Sequence, residues 1–435
     1  TPQTFWPSFH RLMLHARSAR MRRVAALCNH FPGLAAAPAH GRSLLLAQPR
    51  EALSRIGPRA LATQAASEPL VRLDHRSGSV VSRMTLCRAK KLNSLNMQMI
   101  SELREHYAAL QPAGVRCVLL AGEGRALCAG GDVAEVREGV IEGNRYPADF
   151  FRGEYTLDYE IATLHERTGV LQVSLWDGIV MGGGVGLSTH NPIRIATEKT
   201  LFAMPETAIG LFPDVGMTWL LSRLKAGAPI GKFLGLTGQR VGAADCLYAG
   251  LATHYCPSER LGEVEAALHA LGDGVADVAA AGAAITAVAG GAEPDASKAI
   301  LAANAAALER CFGQGSPSAE EILARLDAEG SEWAAGVAKM LRQRSPTSVK
   351  VSLDAIRRHS SVSLREAFVM EYRLSQWCMR PAPYSDFCEG IRAVLVDKDN
   401  KPAWGPATLE EVTQERVDGF FAPLASDHPG GELAL

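Results

Sequence analysis

A chain of 435 residues, 47% hydrophobic and 21% charged, has room for one large domain or two to three ordinary ones, and its composition is that of a soluble globular protein. Its net charge of −1 supplies no overall field for DNA, and no apolar run is long enough to span a bilayer. Nine scattered cysteines without a C-x-x-C pair argue against a disulfide scaffold or a zinc ribbon and fit free thiols in a reducing compartment.

Residues 1–66 hold nine arginines, no lysine and one acid, Glu51. Arg-rich, Ser-bearing and acid-poor is the composition of a mitochondrial transit peptide, with "RLMLHARSARMRRVAAL" (11–27) as an arginine-faced helix and Met13 or Met21 as candidate initiators. The alternative is a basic arm that meets an anionic partner. After residue 66 the pattern turns to strands alternating with helices, which predicts an α/β layered domain. "VVSRMTLCR" (80–88) and "VRCVLLAG" (115–122) read as strands, and 94–110 as a helix between them. "LCAGGDV" (127–133) opens a helix over 131–142, and 150–167 reads as another helix, on which Glu154 sits. "VLQVSLWDGIVMGGGVGLSTH" (170–190) is a strand followed by glycines, and "IRIATEKTLFAM" (193–204) is two short strands.

The two glycine clusters lack the Gly-Lys-Ser/Thr of a phosphate loop, the G-x-G-x-x-G spacing of a dinucleotide site and the G-x-S-x-G of a hydrolase elbow. Two uses remain. Glycines pack a helix closely on a sheet, or they let a backbone N–H approach a ligand. Two such N–H groups from different turns, aimed at one point, would form an oxyanion hole. Next comes "LFAMPETAIGLFPDVGMTW" (201–219), apolar except for Glu206 and Asp214, with no basic residue in the stretch. Both positions fit helix capping, Glu206 after Pro205 and Asp214 ahead of a helix over 214–224. Both also fit catalysis, because a desolvated carboxylate is more basic than one in water. His165 and His190 read as structural.

Beyond about residue 258 the strands stop, and 261–435 reads as mainly helical. Its alanine-rich start is either a soft linker or a loosely packed hairpin. "SAEEILARLDAEG" (318–330) has a serine cap and a glycine stop, and "SPTSVKVSLDAIRRH" (345–359) has an apolar face at helical spacing. The predicted organisation is therefore a basic extension (1–66), an α/β core (67–260) and a helical region (261–435).

The pieces "KKLNSLN", "ALCAGGDV", "FFRGEY", "DGIVMGGGVGLSTH", "TEKTLFAMPETAIGLFPDVG", "LTGQRVGAAD", "SPTSVKVSL", "MEYRLSQWCMR" and "EGIRAVLVDKD" run in order from about residue 70 to 420. In these the chain resembles the crotonase (enoyl-CoA hydratase/isomerase) superfamily, and within it the 3-hydroxyisobutyryl-CoA hydrolases. The resemblance implies a spiral of ββα units with a helical C-terminal region. It implies an acyl-CoA substrate, hydrolysis of 3-hydroxyisobutyryl-CoA in valine catabolism, and no cofactor beyond the CoA of the substrate. It places the oxyanion donors on Gly131 and Gly183 and the catalytic pair on Glu206 and Asp214. Substrate contacts fall on Glu154, Gly182 and Asp132, and on the Lys90, Lys91 and Leu95 turn that lines CoA. The sequence departs from the family at Ala89, where Arg-Pro is usual, and at "TGVLQ", where Lys-Pro precedes the strand. The expected location is the mitochondrial matrix. A rival reading makes the chain a structural subunit of the mitochondrial ribosome, its basic arm on rRNA; a homo-oligomer is compatible with either.

Overall fold

The computed structural model of the chain describes residues 68–435, apart from 314 and 316, and these form one compact unit. The basic extension, with its predicted helix and candidate initiators, lies outside the described residues. The described residues contain nine strands: β1 (Val71–Asp74), β2 (Val81–Leu86), β3 (Cys117–Gly122), β4 (Ala126–Cys128), β5 (Leu171–Trp176), β6 (Ile179–Met181), β7 (Ile193–Ala196), β8 (Leu201–Ala203) and β9 (His254–Tyr255). They make a six-stranded sheet in the order β1-β2-β3-β5-β7-β9 and a three-stranded sheet in the order β4-β6-β8. Only the β1–β2 pair is antiparallel.

The chain spirals. Each turn gives one strand to the large sheet, one short strand to the small sheet, and then a helix: β3, β4 and helix Val133–Glu142; β5, β6 and helix Gly183–Thr189; β7, β8 and helix Met217–Leu221. The central strands β3 and β5 are buried on both faces, as interior parallel strands must be when helices cover both sides. Val118 and Leu120 enter the main core, while Cys117, Leu119 and Ala121 face the other way.

The alanine-rich segment covers that other face. It is neither a linker nor loose. Helices Leu261–Ala270 and Val278–Ala289 form a hairpin whose Val264, Leu268, Ala281 and Ile285 pack on Leu119, Val173, Leu175 and Ile195. Alanine buries little area per residue, but its small side chain allows close approach, and the strands supply the bulk. After β9 the described residues contain helices and no further strand. Ser318 caps helix Ala319–Glu329 as its sequence predicts, in a full capping box with Glu321. Helices Pro346–His359 and Leu364–Cys378 share one continuous core with the α/β part through Val349, Ile356, Phe368 and Tyr372. No described helix is long and apolar enough to cross a membrane.

Two predicted helices change shape. The 150–167 segment begins at Tyr146, breaks at Thr163 and resumes as Leu164–Thr168. The 214–224 segment is helical only over Met217–Leu221, because Val215 and Gly216 adopt left-handed φ of 56° and 78°.

Candidate active site

Leu95 and Gly131 form a parallel bridge in which Leu95 N–H donates to Gly130 O over 2.8 Å and Asp132 N–H donates to Leu95 O over 2.7 Å. That pattern turns the Gly131 N–H away from Leu95. On the neighbouring turn of the spiral, Gly182 leaves β6 with φ 48° and Gly183 begins a helix. Its N–H is one of the helix-start donors that have no intrahelical acceptor. Neither N–H has an acceptor within the protein among the described residues. The two turns touch: a Cβ placed on Gly130 would lie 3.6 Å from Met181 O and 3.8 Å from Gly183 N.

Acids close over this junction. A Cβ on Gly183 would overlap Glu154 Oε1, one on Gly131 would lie 3.8 Å from the same oxygen, and one on Gly182 would lie 3.0 Å from Glu206 Oε1. Gly184 serves the other purpose, close packing, since its Cβ would meet Cys128 Cβ at 2.7 Å. The second cluster therefore divides its glycines between the two uses.

Helix Tyr146–Ala162 delivers Glu154, Tyr155 and Asp158 on adjacent turns, all at most 2% exposed. Tyr155 Oη donates to Asp214 Oδ2 over 2.7 Å. Glu206 and Asp214 are each 4% exposed. Glu154 Oε1, Glu206 Oε2 and both Asp158 oxygens have no partner within the described protein. Helix capping does not explain the two predicted acids. Pro205 caps the short 206–209 turn and Gly216 caps Met217–Leu221, so neither acid stands at the cap position. That duty falls to Glu371, 155 positions away, which accepts from Gly216 N–H over 2.6 Å and from Thr218 N–H over 3.3 Å.

Burial dominates the electrostatics. It holds Glu206 and Glu154 well above the usual carboxylate range, and the charge of Asp214 adds to the effect in both. Asp158 is raised by burial and then by Glu154, Asp214 and Glu371. Asp214 is pushed up to about 7 by burial, against the hydrogen bond from Tyr155. Glu371 is pushed up to about 8 by burial, against its bonds from Thr218 and Gly216. Burial and like charge together thus favour shared protons over five separate charges in this cluster, with Glu206 and Asp214 as one such pair. Such a pairing can both take and give a proton. His190 is pushed down to about 4 by burial, and its Nε2 bonds Val215 O over 2.8 Å; His165 Nε2 bonds Ala276 O over 3.1 Å.

An enoyl-CoA hydratase/isomerase family model matches residues 81–421, which include every residue of this site. The chain belongs to the enoyl-CoA hydratase/isomerase family. Among its relatives in this family, 3-hydroxyisobutyryl-CoA hydrolase 1 of Arabidopsis thaliana is 40% identical over 83% of this chain and 93% of its own. The mitochondrial 3-hydroxyisobutyryl-CoA hydrolases of Gallus gallus and Homo sapiens are 41% and 40% identical, each over 84% of this chain and 91% of theirs. Two solved structures of the family share the fold. A carnitinyl-CoA dehydratase from Mycobacterium thermoresistibile has a TM-score of 0.71 at 37% identity, over 82% of this chain and 97% of its own. An enoyl-CoA hydratase from Rhodobacter sphaeroides also has a TM-score of 0.71, at 35% identity, over 84% and 100%.

Within this crotonase-fold site, the residues expected from sequence are not all equal. Glu154, Glu206, Gly131, Gly182, Gly183 and Leu95 come together, Leu95 Cδ1 lying 3.1 Å from a Cβ placed on Gly183. Asp214 joins them through Tyr155. Lys90 and Lys91 are exposed on the Ala89–Lys91 turn, at the outside of the loop whose inside is Leu95. Asp132 is paired with Arg88 at 2.8 Å, and Arg88 also bonds Ser94 O, so this carboxylate pins the loop. Sequence reasoning missed Arg88, Tyr155, Asp158 and Glu371. Tyr155 and Glu371 stand inside "FFRGEY" and "MEYRLSQ", where the motif was visible but the partner was not.

Proposed function

We propose that this chain hydrolyses 3-hydroxyisobutyryl-CoA to 3-hydroxyisobutyrate and CoA. The observation that carries the reading is Glu206, its Oε1 against Gly182 at the junction of the two turns whose Gly131 and Gly183 N–H groups remain free of protein acceptors among the described residues. The substrate follows from relatives of that name at 40–41% identity.

The thioester oxygen accepts from the Gly131 and Gly183 N–H groups. As the carbonyl carbon becomes tetrahedral, charge builds on that oxygen, and losing one such donor costs about 3–4 kcal/mol in the barrier. Glu206 then acts by one of two routes. As general base it takes a proton from water while the water oxygen bonds the carbonyl carbon; collapse breaks the C–S bond, and CoA leaves with a proton from the acid cluster. As nucleophile it forms a mixed anhydride and releases CoA, and water then cleaves the anhydride and restores Glu206. Asp214 orients water or the substrate hydroxyl, or shares a proton with Glu206. Glu154, Gly182 and Leu95 border the acyl group. Lys90 and Lys91, on the loop pinned by Asp132, face the CoA. The reaction as written calls for no cofactor beyond that CoA.

A mitochondrial, matrix location is supported by the arginine-rich start and by relatives named as mitochondrial. The ribosomal alternative has no support from these relatives, which are named as enzymes. The test is release of free thiol from 3-hydroxyisobutyryl-CoA by the purified protein. Glu206→Gln should abolish release while the fold is kept; unchanged turnover in that variant removes Glu206 from the reaction.

A further inference from the structure

The turn that carries Asp214 is strained. Val215 is β-branched, fully buried and held at φ 56°, and Gly216 follows at φ 78°. A non-glycine residue there costs about 1–3 kcal/mol and persists only where its surroundings over-determine it. A side chain at 216 would meet His190 Nε2 at 2.6 Å and Phe368 Cζ at 2.9 Å, so the second residue must be glycine.

Two groups clamp the turn. His190 Nε2 donates to Val215 O over 2.8 Å. Glu371 Oε2 accepts from Gly216 N–H over 2.6 Å, and its Oε1 accepts from both Thr218 N–H and the Thr218 hydroxyl. Behind Thr218, His359 Nδ1 lies 2.6 Å from Oγ1. His359 Nε2 is buried and has no partner among the described residues. A buried lone pair without a partner costs less than a buried N–H without one, so the imidazole proton belongs on Nδ1. Donation then runs from His359 to Thr218 to Glu371, and every protein group bonded to Glu371 is a donor.

We propose that Glu371, backed by Thr218 and His359, is a positioning residue that keeps the Val215–Gly216 turn closed and so holds Asp214 against Tyr155 in the acid cluster. Its own oxygens are committed to Gly216 and Thr218, so it acts through Asp214 rather than on substrate. The helical C-terminal part of the chain thereby completes a site otherwise built from the spiral. The inference rests on the reading of Asp214 as part of the reaction.

The test uses full-length Thr218→Val, Thr218→Ser and Glu371→Gln proteins, with kcat and KM for 3-hydroxyisobutyryl-CoA and a crystal structure of each. Thr218→Val and Glu371→Gln should lower kcat about 10- to 100-fold, as displacement of a catalytic group by about 1 Å does, with KM changed less than about threefold. Thr218→Ser, which restores the donor, should recover most of kcat. In the impaired proteins Val215 should relax to negative φ and the Tyr155–Asp214 contact should open. If Glu371→Gln does not fold, Thr218→Val carries the test. A Thr218→Val structure with the turn and the Tyr155–Asp214 bond unchanged overturns the proposal. If the turn relaxes and kcat stays the same, the clamp stands and Asp214's part in the reaction falls.

Discussion

Tyr155 brings one hydroxyl into a cluster of five buried carboxyls and gives it to Asp214. The bond favours the charged form of Asp214, so removing it should raise the cluster's apparent pKa. A hydrogen bond to a charged group contributes about 1.5–3 kcal/mol, and 1.36 kcal/mol is one pH unit. In Tyr155→Phe the rising limb of kcat/KM against pH should therefore move about one to two units to higher pH; a shift to lower pH would contradict this placement. Gly183 permits a sharper substitution. In Gly183→Ala the new methyl collides with Glu154 Oε1 and crowds Leu95. We expect kcat to fall at least about 100-fold, the scale of a lost oxyanion donor, with the circular dichroism spectrum unchanged. Gly183, Glu206 and Asp214 were legible as candidates, because a glycine run and isolated acids in an apolar stretch are local signals, whereas Tyr155 carries no such signal. Glu371 could not be read that way. It caps a helix start that has a plausible local cap candidate, Asp214, and nothing within a turn of either residue reveals the long-range choice.

Among elements, β2, β3 and β5 were legible from short runs closed by glycine or a polar turn, and 193–204 divides into β7 and β8 as expected, but the three-residue β4 and β6 were not set apart from their neighbours. The alanine-rich segment was legible as helix, with a hairpin as one of two alternatives, but the close packing of that hairpin was not. Its helical periodicity is blurred because alanine fills both faces, so its apolar side becomes apparent only against the sheet it covers. The packing predicts a separation of effects. Ile285 is fully buried between the hairpin and the sheet, on the face turned away from the acids. Ile285→Ala should lower the free energy of unfolding in urea by about 2–4 kcal/mol and leave kcat unchanged. A large loss of kcat in the folded variant would mean that the two faces of the sheet are mechanically coupled.

For the whole molecule, pH acts on stability through groups of opposite sense. Asp214 and Glu371 hold their protons up to about 7 and about 8 when folded, against 3.8 and 4.5 in the open chain. Over that interval the folded state binds more protons, so each group removes about 1.4 kcal/mol of stability per unit rise in pH, until its folded pKa is passed. His190 and His359, pushed down to about 4 by burial from an ordinary 6.5, do the reverse and offset the acids below about pH 6.5. Between pH 6.5 and 8 only the acids remain of these four, and the urea midpoint should fall. Asp214→Asn should flatten that decline, and a midpoint that climbed through the same window would contradict the buried, cation-poor cluster.

Some of the ties in this fold span most of the chain. Arg152, two residues before Glu154, donates to the carbonyl oxygens of Gly430, Gly431 and Glu432, and Glu371 closes a turn laid down 155 positions earlier. A ribosome releases a chain from its amino end, so both sheets emerge complete while these fasteners are still unmade. A nascent or prematurely terminated product would own every reacting group and still lack the clasp that aligns them. Alignment of the acids thus depends on residues that fold back from far along the chain onto the turns of the spiral.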